Sequence, residues 1–324
     1  MIILLAIGIG STFIPPVDIL NIIIHTITGN ELPPHIAPSA SVIVIDLRLP
    51  RVLLAFIVGG ALSASGAVMQ SVLRNPLASS YTLGVASGAS LGASMVIFLG
   101  FALPVITLFT LPILGFSFAL ATIFIVVAIS AKMDFGMSNH TIILMGMVIS
   151  LFVNAIITLM FAMFRESMQR MVFWQMGSFQ GQGWQTIAIV APLTILCIIL
   201  ISRRSMEMDV LTFGEEQAGT MGVATKRTKT GLMVLAAALT GGSIAFVGTI
   251  GFVDLVAPHV VRKLFGAAHK VVIPMSALIG GTFMVLADLV ARTVMSPAEL
   301  PIGVITAIVG APFLPIIYFM KRKR

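Results

Sequence analysis

Charge is scarce in this chain: Asp, Glu, Lys and Arg make up only 10% of its 324 residues, against 58% that are hydrophobic. A soluble domain carries about 25% charged residues, so an ordinary water-exposed surface is excluded. Cysteine is reduced to Cys197, which rules out an intrachain disulfide and says nothing of redox compartment. No GxxxxGK[ST] segment occurs, so the phosphate-cradling loop that ATP hydrolysis requires is missing. His259 has no second His or Cys at ligand spacing, which argues against a metal site. The long apolar runs also lack the period-2 alternation of a membrane β-barrel.

What is present is hydrophobic length. Mean hydropathy is +1.09, and apolar stretches able to cross ~30 Å of hydrocarbon as helices recur throughout. Backbone groups in lipid must be paired internally. The expected fold is therefore all-α: a polytopic membrane protein, one transmembrane domain over 1–324. About ten spans are expected, at 1–15, 50–72, 83–101, 104–131, 140–164, 185–202, 230–250, 252–265, 271–294 and 301–320. The first is the weakest, because at ~1.5 Å per residue it reaches only about 22 Å and has no basic flank. Two readings stay open there: a chain that continues upstream, or a cleaved leader, against which the missing basic n-region and Pro15-Pro16 argue.

Net charge is +7, and its placement matters more than its sum. With the N-terminus inside, fourteen basic residues fall on the cytoplasmic side, including Arg74, Lys132, Arg203, Arg204, Lys226, Arg227, Lys229 and the closing Lys321 to Arg324. Five remain outside: Arg48, Arg51, Arg165, Arg170 and Arg292. The positive-inside rule then sets the orientation, with both termini cytoplasmic. In a membrane protein this charge does not imply nucleic acid.

Small residues crowd the second and third spans, in "GGALSASGA" (59–67) and in Gly84, Gly88 and Gly92, where they allow close helix packing. "VLRNPLASSYTLG" (72–84) breaks at Asn75-Pro76, because proline bars its predecessor from the helical region. It reads either as an interhelix loop or as a reentrant turn. "VGTIGFVDLVAPHVVRK" (247–263) is a second break, in which Asp254 is an ion or proton site or a helix cap. Asp288 stands four residues before Arg292, the spacing of a structural ion pair. "SPAELP" reads as a helix start, with Ser296 as N-cap, Pro297 next and Glu299 reaching back.

"TFGEEQAGTMGVATKRTK" (212–229) is the one long polar insert. Thr212 and Glu215 are spaced as a capping box, Glu215 and Glu216 suit a helix N-terminus, and Gly222 supplies a stop. A solvated loop needs none of this, so the insert is expected to meet a protein partner.

Three stretches resemble one family. "RLPRVLLAFIVGGALSASGAVMQSVLRNPLASSYTLGVASGASLGA" (48–93), "GEEQAGTMGV" (214–223) and "ADLVARTVMSPAELPIGVITAIVGAPF" (287–313) are similar to FecCD-type permeases of ATP-binding-cassette importers for iron-siderophores, haem and cobalamin. The resemblance implies a ten-helix type II importer permease in a bacterial cytoplasmic membrane, not itself an enzyme. It further implies a homodimer or a pair with a paralogue, two ATPase subunits inside and a solute-binding protein outside. ATP and Mg would sit on the ATPase, and this chain would bind no cofactor. The 203–229 region becomes the cytoplasmic coupling loop, with Gly214, Glu215, Glu216, Ala218, Met221 and Gly222 facing the ATPase. Arg48, Arg51 and Arg292 occupy the positions that pair with carboxylates of the binding protein. The path is assigned to Leu151, Asn154, Met160, Phe164, Ile302, Thr306 and Val309. Gln70, Asn75, Pro76, Leu77, Pro258 and His259 match family structural motifs, and Trp174 and Gly177 match its outer segment. Three residues depart from the family pattern: Ser80 for proline, which suggests a less rigid turn; Gly219 for a long residue, which costs the coupling helix ~1 kcal/mol; and Asp254 for glycine. An iron-siderophore is the expected cargo, with cobalamin or haem as alternatives. An ion-coupled secondary transporter, with coupling sites at Asp254 and Asp288, is the competing class.

Overall fold

The computed structural model describes residues 1–10, 12–29, 32–103, 106–134 and 136–322, with side chains through Phe313. Of the closing basic run, Lys323 and Arg324 and the side chains of Lys321 and Arg322 lie outside the described residues, as does Pro104 at the start of one expected span. The described elements are all helical. In order they are α1 (Ile2–Gly8), α2 (Pro16–Thr28), α3 (Pro38–Val42), a π-helical segment (Ile43–Arg48), α4 (Leu49–Val72), α5 (Val85–Leu99), α6 (Thr110–Met133), α7 (Asn139–Met163) and α8 (Met168–Met176). Then follow α9 (Trp184–Ser202), α10 (Ser205–Leu211), α11 (Glu215–Thr220), α12 (Thr225–Val247), α13 (Val253–Phe265), α14 (His269–Thr293) and α15 (Ile302–Arg322).

Among the described residues, six stretches are long and apolar enough to cross a membrane: Pro38–Val72, Thr107–Met133, Asn139–Met163, Trp184–Ser202, Thr225–Val247 and His269–Thr293. α5 and α15 occupy two further expected spans. The first expected span is not one helix. α1 stops at Gly8, the Ile14 amide closes a turn onto the Gly8 carbonyl, and Pro16 opens α2. The expected span 252–265 does form a helix, α13, but its 13 residues and the Arg262 and Lys263 in its last turn make it too short and polar to cross alone.

α4 is the axis of the bundle. Every residue from Val58 to Val72 is buried, as befits a helix apolar or small on all sides. Small residues bring α14 against it: a Cβ on Gly59 would stand 2.3 Å from the Gly280 carbonyl oxygen. α5 lies on α6 by the same device, since a Cβ on Gly92 would meet the Leu114 carbonyl oxygen at 2.4 Å.

The segment 73–84 dips back into the protein, which decides between its two readings. Arg74 takes a left-handed φ of 48° as the chain leaves α4, and the Asn75 side chain accepts the Leu77 amide at 2.9 Å. Beyond this exposed corner Ser79, Ser80 and Leu83 are buried. Ser80 is fixed there by its hydroxyl, 2.6 Å from Ser65, which in turn meets Thr240 at 2.7 Å. The serine therefore anchors the turn that its proline counterpart was expected to stiffen. Ser65 is 14 residues from Arg51 along α4, about 21 Å of helix.

The second break is supported similarly. After α12 ends at Gly248, the Val247 carbonyl accepts the Ser178 amide at 2.8 Å and the Ile250 carbonyl accepts the Tyr81 hydroxyl at 2.6 Å. Carbonyls freed by the break thus find partners inside the protein, the condition for irregular backbone at membrane depth. Asp254 opens α13, buried, with the Ser79 hydroxyl donating to its carboxylate. Gln70 donates to the Asp254 carbonyl oxygen at 3.3 Å and accepts from Arg262.

Candidate functional site

The 203–229 region, polar insert included, lies at the end of the bundle opposite Arg51 and folds as two short helices, α10 and α11, before α12 begins. Thr212 does not cap the second of them: its hydroxyl turns back to the Asp209 carbonyl at 2.6 Å, and Gly214, at φ 123°, precedes α11 instead. The expected capping box is therefore absent, because Glu215 has a stronger partner. Its carboxylate meets the Lys229 ammonium at 2.8 Å, a charge-assisted contact that outbids a neutral amide. Gly222, at φ 86°, ends the segment as expected.

Three polar contacts tie this region to different spans. The Thr228 hydroxyl of α12 donates to Glu207 of α10 at 2.9 Å. The His269 ring at the head of α14 lies 2.5 Å from Asp209. Lys229, only 1% exposed, donates to Glu215, to Asn139 Oδ1 and to the Met137 carbonyl, each at 2.8 Å. Sequence reasoning counted Lys229 as one more inside charge and missed this role; its partners are distant in sequence. Beside it, Asp134 organises the loop between α6 and α7, accepting the Gly136 and Ser138 amides at 2.9 Å. Bonds from Ser138, then Gly136, hold its carboxyl down to about 2, so it stays ionised.

Of the coupling residues, Ala218 is buried in the core, while Glu216, Met221 and Gly222 are exposed. Around them Leu77, Phe213, Leu264 and Phe265 are also exposed. Apolar side chains gathered at a polar end mark a protein-contact surface. Phe213, Leu264 and Phe265 were not singled out in the sequence, although each adjoins a charged or glycine-bearing stretch that interrupts the apolar pattern.

At the opposite end the three arginines are engaged within the chain. Arg51, 12% exposed, donates to both Asp288 oxygens and to both oxygens of Glu299, with closest approaches of 2.8 Å. Arg292 Nε stands 3.7 Å from Asp288, the expected i,i+4 pair, but Arg51 is the nearer cation. Arg292 also donates to the Ala6 carbonyl. Arg48 is buried and donates to the carbonyls of Ile7, Gly8 and Thr12, which fixes the turn between α1 and α2. Glu299 is not a helix cap: α15 begins at Ile302, and its carboxylate belongs to Arg51. A cavity of about 660 Å³ opens here, lined among others by Arg51, Arg292, Glu299 and Gln180.

The proposed path residues divide. Leu151 and Asn154 lie on the open face of α7 with Met147, Val148 and Phe152, and Val309 lies on the open face of α15 with Val304 and Ile308. Ile302 and Thr306 point into the bundle instead, at 1% and 0% exposed. Met160 accepts a bond from Ser94, and Phe164 stacks on Phe98 with ring centroids 5.9 Å apart. In the remaining motif positions, Pro258 is buried and His259 half-buried within α13. Trp174 is half-buried, and its carbonyl abuts Gly248 closely enough to bar a Cβ there. Trp184, exposed, donates its indole N–H to the Ile45 carbonyl at 2.9 Å, in keeping with an interfacial aromatic. Asp288 is neutralised by two arginines, which removes it as a free coupling carboxylate.

Among known proteins, the FecCD transport family matches residues 1–322. The uncharacterised ABC transporter permease protein YvrB of Bacillus subtilis is 41% identical over 99% of this chain and 91% of its own. The cobalamin import system permease protein BtuC of Halobacterium salinarum is 37% identical over 85% of this chain and 73% of its own. The Fe(3+)-citrate import system permease protein YfmE of Bacillus subtilis is 32% identical over 99% and 92%. A solved structure of an ABC transporter, described as metal-chelate type and inward-facing, superposes with a TM-score of 0.86 at 31% identity, over 98% of this chain and 95% of that one.

Proposed function

The chain belongs to the FecCD transport family as the multi-pass membrane permease of an ABC importer, and from that premise we propose that it carries an iron(III)-siderophore inward. The observation that supports a bulky chelated cargo is the open face of α7, where Leu151, Phe152, Met147 and Val148 surround the neutral Asn154. That surface suits an organically wrapped ion better than a bare one, which needs closely placed oxygen, nitrogen or sulfur donors. YfmE, whose name specifies Fe(3+)-citrate, supports iron. BtuC supports cobalamin as the second reading.

In this reading the end bearing Glu215 is cytoplasmic, with both chain termini on that side. Two ATPase subunits dock, one on the α11 of each permease and the exposed apolar residues around it. A second permease, identical or paralogous, covers the open faces of α7 and α15, and the path runs between the two. A solute-binding protein docks outside, at the corner that holds Arg51 and Arg292, while Arg48 supports that corner from within. ATP-driven closure of the ATPase pair moves α11, and the spans rock to change access.

The test is uptake of radioactive iron, supplied as hydroxamate, catecholate and citrate complexes beside labelled cobalamin, in a deletion strain with and without this chain restored. Recovery of an iron complex is the expected result. Recovery of cobalamin alone would keep the mechanism and overturn the cargo.

The two adjacent glutamates of α11 should respond differently. Glu216→Ala alters only an exposed contact, so insertion and fold stay intact while cargo-stimulated ATP hydrolysis falls. Glu215→Ala also strands Lys229, so it should lower thermal stability as well. Equal melting temperatures for the two variants in detergent would contradict the buried bridge.

A further inference from the structure

Movement at α11 changes nothing unless it reaches the spans that line the path. By helix packing the route is stepwise: α11 packs on α10 and α12, α12 packs on α5 and α6, and α7 packs on those two in turn. Among the described residues, a shorter polar route joins α11 to α7 through Lys229. This lysine is the fifth residue of α12, one turn from its start. An ammonium has three N–H donors and no acceptor. Here each donor has one partner at 2.8 Å, from three segments: Glu215 of α11, Asn139 in the first turn of α7, and the Met137 carbonyl just before it.

The loop side of this node is itself braced. Met137 is buried with a left-handed φ of 52°. Asp134 fixes the same loop through the Gly136 and Ser138 amides and the Thr141 hydroxyl, the last at 3.3 Å. The other charges acting on the ammonium are those of Arg74 and Asp134. A buried cation held between two rigid segments resists separation from either, because a lost partner leaves it uncompensated away from water.

We infer that Lys229 is a positioning residue that transmits displacement of α11 to the head of α7, and so from the ATPase surface to the open face carrying Leu151 and Asn154. The inference rests on the ATPase-docking reading given above. It assigns a role to a residue outside the Gly214 to Gly222 contact segment. It also makes Asn139 the receiving group, since Asn139 touches neither the docking surface nor the open face of α7.

The experiment uses the complete transporter, reassembled with its ATPase and binding protein in vesicles. The probes are a radioactive iron(III)-hydroxamate complex and labelled cobalamin, and uptake is measured with ATP hydrolysis. Spin labels at Thr220→Cys, exposed at the end of α11 and outside the named contact residues, and at Leu144→Cys, in a Cys197→Ser background, report the α11 to α7 distance with and without ATP. Asn139→Leu cuts the link to α7 and leaves the Lys229–Glu215 pair intact; Asn139→Asp keeps an acceptor oxygen. The expected result for Asn139→Leu is normal co-purification with the ATPase, cargo delivered per ATP reduced several-fold, and an ATP-dependent change in label distance that the unsubstituted chain does not show. Asn139→Asp should restore both readouts. Lys229→Met should reproduce the uncoupling, and if it fails to assemble, the Asn139 pair decides. An Asn139→Leu transporter with the normal ratio and an unchanged distance would overturn the inference. Failure of the unsubstituted chain to couple ATP to either cargo would instead refute the importer reading beneath it.

Discussion

Arg51→Ala should destabilise the chain by about 3–5 kcal/mol, the usual cost of removing one partner from a buried ion pair. Asp288 is 1% exposed, and Arg51 donates to both of its oxygens. Without the guanidinium, Asp288 keeps only Arg292, whose Nε is 3.7 Å away, and Glu299 loses both of its hydrogen bonds to a cation. Thermal unfolding in detergent measures the loss. Adding Asp288→Asn should recover part of it, because residues sharing one network are not additive. The variant also separates two roles for this arginine. If docking of the binding protein weakens while the melting temperature stays unchanged, the internal clamp contributes little and Arg51 serves mainly as an external contact.

Gly66→Ala should have the second largest effect. A Cβ at this position would lie 1.9 Å from the Asp254 carbonyl oxygen and 2.8 Å from its Cα. These are backbone atoms, which no rotamer change can clear, so α13 must move away from α4. Overpacking of a tight interior costs about 1–3 kcal/mol or more. The displacement would also strain the Gln70 contact with the Asp254 carbonyl and the Ser79 contact with its carboxylate. Gly60→Ala is the control, since its nearest contact would be 3.1 Å, to the Ala277 carbonyl oxygen. Loss of ATP-driven uptake in Gly66→Ala with Gly60→Ala close to normal is the expected pattern. Equal behaviour of the two would mean that the α4–α13 contact tolerates separation.

The all-helical bundle was legible because hydropathy over some twenty residues is a local property, and α6, α7, α9, α12 and α14 all carry it. Where apolar length and helical continuity part company, the reading failed. Residues 1–15 are hydrophobic but broken before Pro15-Pro16, and α13 is too short and ends in basic residues. The two expected capping boxes failed for a common reason. Glu215 and Glu299 each stand at the correct spacing from a hydroxyl residue, yet each binds a distant cation, Lys229 or Arg51, rather than a nearby amide. Spacing reveals local partners only. Lys229 was missed for the same reason, since its partners lie 14, 90 and 92 residues away.

The path assignment shows how sensitive a helical face is to phase. Ile302 and Thr306 are one turn apart and both buried, while Val304 and Ile308, two positions further on, are exposed. A shift of two residues turns a helix face by about 200°. An apolar helix with packing on one side and a partner on the other gives little compositional contrast to fix that phase. Asn154, by contrast, a lone amide among Leu, Ile and Phe, lies on the open face of α7.

The Arg51 clamp also constrains the birth of the protein. Asp288 and Glu299 follow Arg51 by 237 and 248 residues, so most of the chain must be synthesised before either carboxylate exists. Throughout that interval a nascent α4 holds a permanent cation with no partner. Its position in the first turn of the helix, rather than at mid-length, lets the side chain remain among lipid headgroups and water while later segments are threaded. Closure of the clamp is then a late event in biogenesis, and chains truncated before residue 288 retain an unsealed corner at that end of the bundle.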